Sequence, residues 1–296
     1  GDYRWWSDQG AAYHFRTDYL DFYDNAEFAV PPCGKWTERP ADELPYGYNY
    51  YRGLYHTESK RDSDIMKKGY YAACTYIDHQ LRLVIGTLRE QGILDDTIIL
   101  FTADHGEMLG TNHLHGKFLM YENSVKIPFI LSPTADSGMC CSREDDRIVE
   151  LRDVMPTLLT LAGIEVPEFV EGRSLTEEWD REYTYGELWE DDRATRMIRT
   201  KEWKLIYYCT GNFFQLFHIK NDPDELVDLA GHPEYKEIQE YLTERLIENL
   251  YGQDKLLVKD GKLVGLPAKK YDFNASLADG NKLFQGRDML LQRGIR

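Results

Sequence analysis

The chain has 296 residues, 42% of them hydrophobic and 13% aromatic, enough to bury a substantial core and to form two domains. Its formal net charge of −16 argues against nonspecific binding to nucleic acid or to anionic membranes. No apolar run approaches the roughly 20 residues of a membrane span.

Residues 1–62 are rich in Tyr, Trp, Asp and Pro with weak periodicity, which predicts loops and short helices. Asp62-Ser-Asp64 then leads into a long predicted helix, Ile65 to Gln91. It carries Ile65, Tyr70, Ala73, Ile77, Leu81, Val84 and Leu88 at helical spacing, with Gly92 as its stop. Ile98 to Ala103 is apolar apart from Thr102 and predicts a strand covered on both faces, as in a parallel sheet flanked by helices. Ile127 to Ser132 predicts a second strand whose Pro128 suits an edge or a strand start. Pro133 to Asp146 is a polar loop, Leu151 to Leu161 a helix ended by Gly163, and Pro167 to Arg173 a boundary.

Beyond that boundary the pattern becomes antiparallel. Tyr183 to Glu187, Met197 to Thr200, Lys204 to Tyr208 and Phe213 to Ile219 predict short strands, with turns at Lys201-Glu202 and Gly211-Asn212. Ile238, Tyr241, Leu242, Arg245 and Leu246 line one side of a helix from Glu234 to Tyr251 that would pack on this sheet. Lys255 to Arg296 carries no legible motif. The expected fold class is therefore α/β: a mixed, largely parallel sheet flanked by helices in residues 1–170, then a smaller α+β unit in 171–296 with a four-stranded antiparallel sheet.

Chemistry concentrates at Thr97 to Lys117. There an apolar strand ends in Asp104-His105-Gly106, followed by His113, His115 and Lys117. Ligands of α/β sheets collect just beyond the carboxyl ends of strands. Neighbouring strand residues point to opposite faces, so Asp104 and His105 can share one ion only where the chain leaves strand geometry, and Gly106 permits that. A carboxylate and a neutral imidazole form half a shell for a divalent cation. Turn chemistry alone would explain the Asp and the Gly equally well.

This segment resembles the second signature region of the sulfatase family, in the alkaline phosphatase superfamily. The similarity extends upstream through Tyr70-Tyr-Ala-Ala-Cys-Thr-Tyr-Ile-Asp78 and Leu88 to Thr97. Downstream it takes in Tyr121 to Leu131, Val154 to Gly163, Arg196 to Thr200 and Trp203 to Ile206, so it covers most of residues 19–250. The resemblance implies an alkaline phosphatase-like domain, incomplete here, and hydrolysis of a sulfate ester on a small sulfated substrate. Asp104 and His105 fall on the pair that ligates a divalent metal, usually calcium, with manganese or zinc as alternatives. Lys117, thirteen residues beyond Asp104, falls on the lysine that contacts the sulfate or the bridging oxygen. His113 and His115 both remain candidates for substrate contact, because Asn112 stands where many members carry a histidine.

A second departure is larger. Sulfatases form a formylglycine nucleophile in a Cys/Ser-x-Pro-x-Arg motif, and none of the five cysteines, nor any serine, fits it. The chain thus reads as the carboxyl-terminal portion of a sulfatase, inactive alone, that needs its missing N-terminal segment or self-association to cover open sheet edges. A phosphodiester or phosphonate monoester hydrolase of the same superfamily, or a non-catalytic sulfatase-like module, are the alternatives. Neither a nucleic-acid partner nor a transmembrane segment is expected. The adjacent Cys140 and Cys141 define no disulfide framework, and the compartment stays open.

Overall fold

A computed structural model describes residues 17–55, 60–139 and 144–272. The first part of the chain is helical and irregular: α1 (Thr17–Leu20), α2 (Tyr46–Tyr55) and the long α3 (Lys60–Glu90). Gly92 does end α3. At φ 69° it takes a left-handed cap in which Gly92 N–H donates to Arg89 O (3.0 Å) and Ile93 N–H to Leu88 O (3.1 Å), satisfying carbonyls the helix leaves open. The inward stripe predicted for α3 is only partly covered: Ile77 and Val84 are 48% and 57% exposed. The helix packs against α1 and the turn at Asp21–Tyr23, near its middle, and no described element lies over its second half to the same extent.

β1 (Ile99–Thr102), α4 (Glu122–Val125), β2 (Phe129–Ser132) and α5 (Val154–Leu161) follow. β2 starts immediately after Pro128, where the missing N–H costs no ladder bond. β1 and β2 pair antiparallel, Ile99 with Ser132 through Thr102 with Phe129, so these two strands do not form the parallel ladder expected there. Nor is β1 covered on both faces. Its residues are half-buried, and Ile130 of β2 is 61% exposed, because no other described strand flanks the pair. The α/β class itself and the later antiparallel sheet are as expected.

That sheet runs β3 (Thr184–Leu188), β4 (Thr195–Arg199), β5 (Lys204–Tyr208), β6 (Phe213–Phe217), in chain order and antiparallel throughout. The Gly211-Asn212 turn between β5 and β6 has both residues left-handed, at φ 80° and 54°, which suits Gly and Asn. Every residue of β5 is buried. Its alternation explains the apolar run Leu205–Tyr208: Leu205 and Tyr207 pack on one face with Leu242, Leu246 and Leu250 in and after α6 (Lys236–Asn249). Ile206 and Tyr208 pack on the other with Trp36, Tyr48, Leu114, Leu119 and Tyr121. The sheet is thus sandwiched between α6 and the segment that bears the Asp-His motif. Cys209, at the end of β5, lies fully inside the α6-side core. A short hairpin of β7 (Val258–Lys259) and β8 (Lys262–Leu263) closes that side, and Leu266 bridges in parallel to Thr210.

Two buried ionic clusters fasten these layers. In one, the Arg181 guanidinium donates to both carboxylate oxygens of Asp153 (2.7 and 2.8 Å) and to Ile148 O, while Asp153 also accepts Arg173 N–H and Glu150 N–H. In the other, the fully buried Lys204 ammonium contacts Glu122 (2.6 Å) and Glu225 (2.9 Å) and donates to Met120 O. Glu225 in turn accepts the backbone N–H of Glu122 (2.7 Å), and Arg199 forks onto Glu122 (3.0 and 3.1 Å).

No described helix is long and apolar enough to cross a membrane. Cys140, Cys141 and the tail beyond 272 lie outside the described residues.

Candidate active site

β1 delivers Asp104 and His105 at its carboxyl end, where the chain leaves strand geometry. The Asp104 side chain is 80% exposed, and its Oδ2 lies 3.4 Å from His105 Nε2. The imidazole is oriented from behind: Nδ1 sits 2.8 Å from Gly106 O, to which Nδ1–H donates, so Nε2 is the ring nitrogen on the side of Asp104. Lys117 Nζ completes the cluster in hydrogen-bond contact with that same Nε2. The structure therefore brings together three of the five predicted site residues.

The other two differ from each other in exposure. His113 is exposed with φ 60° and has Nδ1 3.8 Å from Cys33 Sγ. His115 is buried at 2% exposure. Asn112, the odd residue in the motif, is a structural pin: its Oδ1 accepts Gly34 N–H (2.8 Å), its carbonyl accepts the Tyr48 hydroxyl (3.0 Å), and its N–H donates to Pro32 O. A histidine could not reproduce the amide bonds made from this buried, left-handed position at φ 52°.

What returns Lys117 to His105 is a loop closed on itself, and the residue that closes it was not singled out from the sequence. Glu107 Oε1 accepts Gly116 N–H (2.5 Å) and Leu109 N–H (3.2 Å) across the base of the loop. Met108 N–H and Gly110 N–H bond Gly116 O and Leu114 O between the same arms. Burial pushes the Glu107 pKa above the usual carboxylate range, and the two N–H donors oppose that shift. An acid within three residues of a candidate metal pair, in a stretch punctuated by Gly106, Gly110 and Gly116, was the available signal.

Gly106 has a second role. A Cβ there would lie 2.1 Å from Asn123 O, and its N–H bonds Ser124 O (2.8 Å), so the motif is pressed against the start of α4. Gly106→Ala is expected to displace the α4 backbone and cost about 1–3 kcal/mol, as overpacking does. A thermal melt checks this, and an unshifted midpoint would mean that the close approach is relaxed in solution.

Arg199, Trp203 and Tyr207 serve packing. Arg199 holds Glu122, Trp203 lies edge-on to His218 at 4.2 Å, and the Tyr207 hydroxyl donates to Asn212.

The sulfatase family model matches residues 14–164, and that of the N-sulphoglucosamine sulphohydrolase C-terminal region matches residues 110–251. The chain belongs to the sulfatase family. An arylsulfatase of Clostridium perfringens (strain 13 / Type A) is 31% identical over 290 residues, covering 94% of this chain and 55% of that relative. This sulfatase-family chain spans about half the length of the curated relatives it matches. Among solved structures, one in complex with its substrate D-glucosamine-2-N,6-O-disulfate superposes with a TM-score of 0.55 at 26% identity, over 68% of this chain and 44% of that one. The phosphonate monoester hydrolase of Silicibacter pomeroyi shares the fold, with a TM-score of 0.66 at 23% identity, over 86% and 57% of the two chains.

Among the described residues no group of three or more His, Cys, Asp or Glu side chains converges on a metal position. Asp104 and His105 by themselves suit two positions in the shell of a divalent ion: an exposed carboxylate and an imidazole nitrogen turned toward it.

Proposed function

We propose that the protein acts as a metal-dependent hydrolase of sulfate esters, to which this chain contributes Asp104 and His105 as metal ligands and Lys117 as the cation facing the ester. The observation that carries this reading is the meeting of Asp104, His105 and Lys117 at the end of β1. Asp104 and His105 would hold the divalent ion, calcium in the first instance with manganese or zinc as alternatives, and such an ion polarises a sulfuryl oxygen as a Lewis acid.

The chain's own groups do the rest. Lys117 presents an ammonium to a sulfuryl oxygen or to the departing alkoxide, where negative charge accumulates. Glu107 keeps Lys117 beside His105 by stapling the loop, and the Gly106 carbonyl fixes the imidazole tautomer. Formylglycine, the sulfatase nucleophile, would come from outside these 296 residues, so the isolated chain should turn over negligibly. Residues 1–170 would then form the carboxyl-terminal part of the catalytic unit, with 171–296 the unit packed behind it.

The substrate class is a sulfated sugar or aryl alcohol, supported by the arylsulfatase relative and by the sulfated glucosamine bound in the structural neighbour. The shared fold of a phosphonate monoester hydrolase keeps phosphonate esters as the competing substrate. Parallel rates on 4-nitrophenyl sulfate and 4-nitrophenyl phenylphosphonate with the full-length protein decide between them. Faster release from the sulfate is expected; a preference for the phosphonate would overturn the assignment.

A further inference from the structure

The entrance of α4 is gripped from the antiparallel sheet. Lys204, at the start of β5, donates to Met120 O (2.9 Å) and meets the Glu122 carboxylate (2.6 Å), onto which Arg199 at the end of β4 also forks. Glu225, in the turn after β6, accepts the Glu122 N–H (2.7 Å) with one carboxylate oxygen and contacts the Lys204 ammonium (2.9 Å) with the other. That turn is itself fixed from two sides. The Asp222 carboxylate accepts Leu226 N–H (3.0 Å) and Val227 N–H (2.8 Å), and Glu225 O accepts the indole N–H of the buried Trp36 (3.0 Å).

The other side of α4 touches the Asp-His motif. Ser124 O accepts Gly106 N–H (2.8 Å), and Asn123 O lies 2.1 Å from where a Gly106 Cβ would begin. The Asn123 amide donates to the Thr111 hydroxyl (2.8 Å), in the loop that returns Lys117. Gly106 O in turn holds His105 Nδ1 (2.8 Å). Residues 122 to 124 thus carry both sets of bonds within one helical turn, closed by Val125 N–H on Tyr121 O (3.0 Å) and Lys126 N–H on Glu122 O (2.8 Å). A turn so packed passes a shift at Glu122 on to Gly106 instead of absorbing it. Apolar side chains would fasten the same layers without the cost of desolvating charges. What charge-assisted bonds add is a fixed geometry.

We infer that Glu225 and Lys204 are positioning residues for the metal pair, acting through α4 to set where Gly106 and the His105 ring stand; the inference rests on the reading of Asp104 and His105 as ligands. Both lie apart from the cluster of Asp104, His105 and Lys117. Their part is to hold the carbonyl that orients the imidazole, the kind of outer support on which metal affinity depends. The antiparallel sheet is on this account a template for the motif as well as a neighbour packed behind it.

The test is a calorimetric titration of the full-length protein with calcium at about pH 8, above the value of about 7 to which burial drives Glu225. Glu225→Asp keeps the charge beside Lys204 but is one methylene too short to span both contacts. It is expected to raise the calcium Kd by about tenfold or more. Asp153→Asn is the control: it breaks the other buried cluster, whose bonds run to Ile148, Glu150 and Arg173, and should lower the melting midpoint while leaving that Kd unchanged. A merely structural role for Glu225 predicts the same behaviour in both variants. Where Glu225→Asp does not melt cooperatively, Arg199→Lys, which gives up only the fork on Glu122, takes its place with an expected rise of about twofold or more. Nitrogen NMR of His105 without metal should show the Nδ1–H form in the unsubstituted protein and a mixture of tautomers in Glu225→Asp. An unaltered Kd and tautomer in a cooperatively melting variant, or equal losses in Glu225→Asp and Asp153→Asn, would overturn the positioning role alone. No binding of calcium, manganese or zinc by the unsubstituted protein would remove the ligand reading beneath it.

Discussion

Lys204→Met is expected to destabilise the folded protein by about 3–5 kcal/mol, the usual consequence of removing one partner from a buried ionic cluster. The substitution keeps the length of the side chain but strands two carboxylates. Glu122 and Glu225 are both buried, and both meet the ammonium of Lys204 at the interface between the sheet and the segment that bears the Asp-His motif. Arg199 would still compensate Glu122, so the larger loss falls on Glu225, whose other oxygen is already committed to the Glu122 N–H. Urea unfolding measures the loss, and a change below about 1 kcal/mol would show the cluster to be dispensable. Adding Glu225→Gln should recover part of the stability, because the stranded charge is then gone.

The same cluster gives the protein a specific response to acid. Burial drives the Glu225 pKa up to about 7, against the pull of Lys204. Folding therefore favours its protonated form: that contribution is full below the reference value of 4.5 and is lost as pH rises through about 7. Glu122 goes the other way. Despite its own burial, Lys204 and Arg199 hold it at about 2, so its contribution is present above 4.5 and is lost as pH falls toward 2. In Lys204→Met the acid-side loss between about 4.5 and 2 should become shallower, since one of the two cations that lower Glu122 has been removed.

The second large effect is expected on catalysis. Asp104→Ala and Lys117→Ala should each lower kcat of the full-length protein by about 10²–10³ or more, the scale on which a group opposing transition-state charge is felt. Stability should hardly change. The Asp104 carboxylate is 80% exposed and is met by the ring and the backbone N–H of His105, so its removal should fall within about 0.5 kcal/mol. A variant that loses activity only because it unfolds would show instead that Asp104 is part of the scaffold. His115→Ala should show the reverse pattern, because that ring is buried.

The sequence made some of this plain and hid the rest for physical reasons. Gly92 marked the end of α3 because a left-handed cap has few residue choices. β5 was legible in its bounds, since Leu205 to Tyr208 form an apolar run buried on both faces. Asp104, His105 and Lys117 stood out because an apolar strand ends in an acid and an imidazole, with further histidines and a lysine in the next loop, where α/β sheets collect ligands.

Other features depend on what lies across from them. Ile77 and Val84 have helical spacing whether or not anything packs on them, so periodicity could not tell that they are exposed. His113, His115 and Asn112 are neighbours in one loop, and only the fold shows that one faces Cys33, one is inside and one pins Gly34. Lys204, Glu122 and Glu225 look like ordinary surface charges in sequence, because their partners come from three separate segments. The same is true of Arg196 and Asp254, which lie 58 residues apart.

Cys209 turns its position between β5 and α6 into a chemical property. Burial drives its thiol pKa up to about 12, so the reactive thiolate is scarce at neutral pH, whereas Cys33 and Cys74 are exposed. Among the described cysteines, an alkylating reagent would therefore modify Cys33 and Cys74 in the native protein and reach Cys209 only when helix and sheet come apart. The molecule carries its own internal clock for opening, readable by mass spectrometry without any engineered probe.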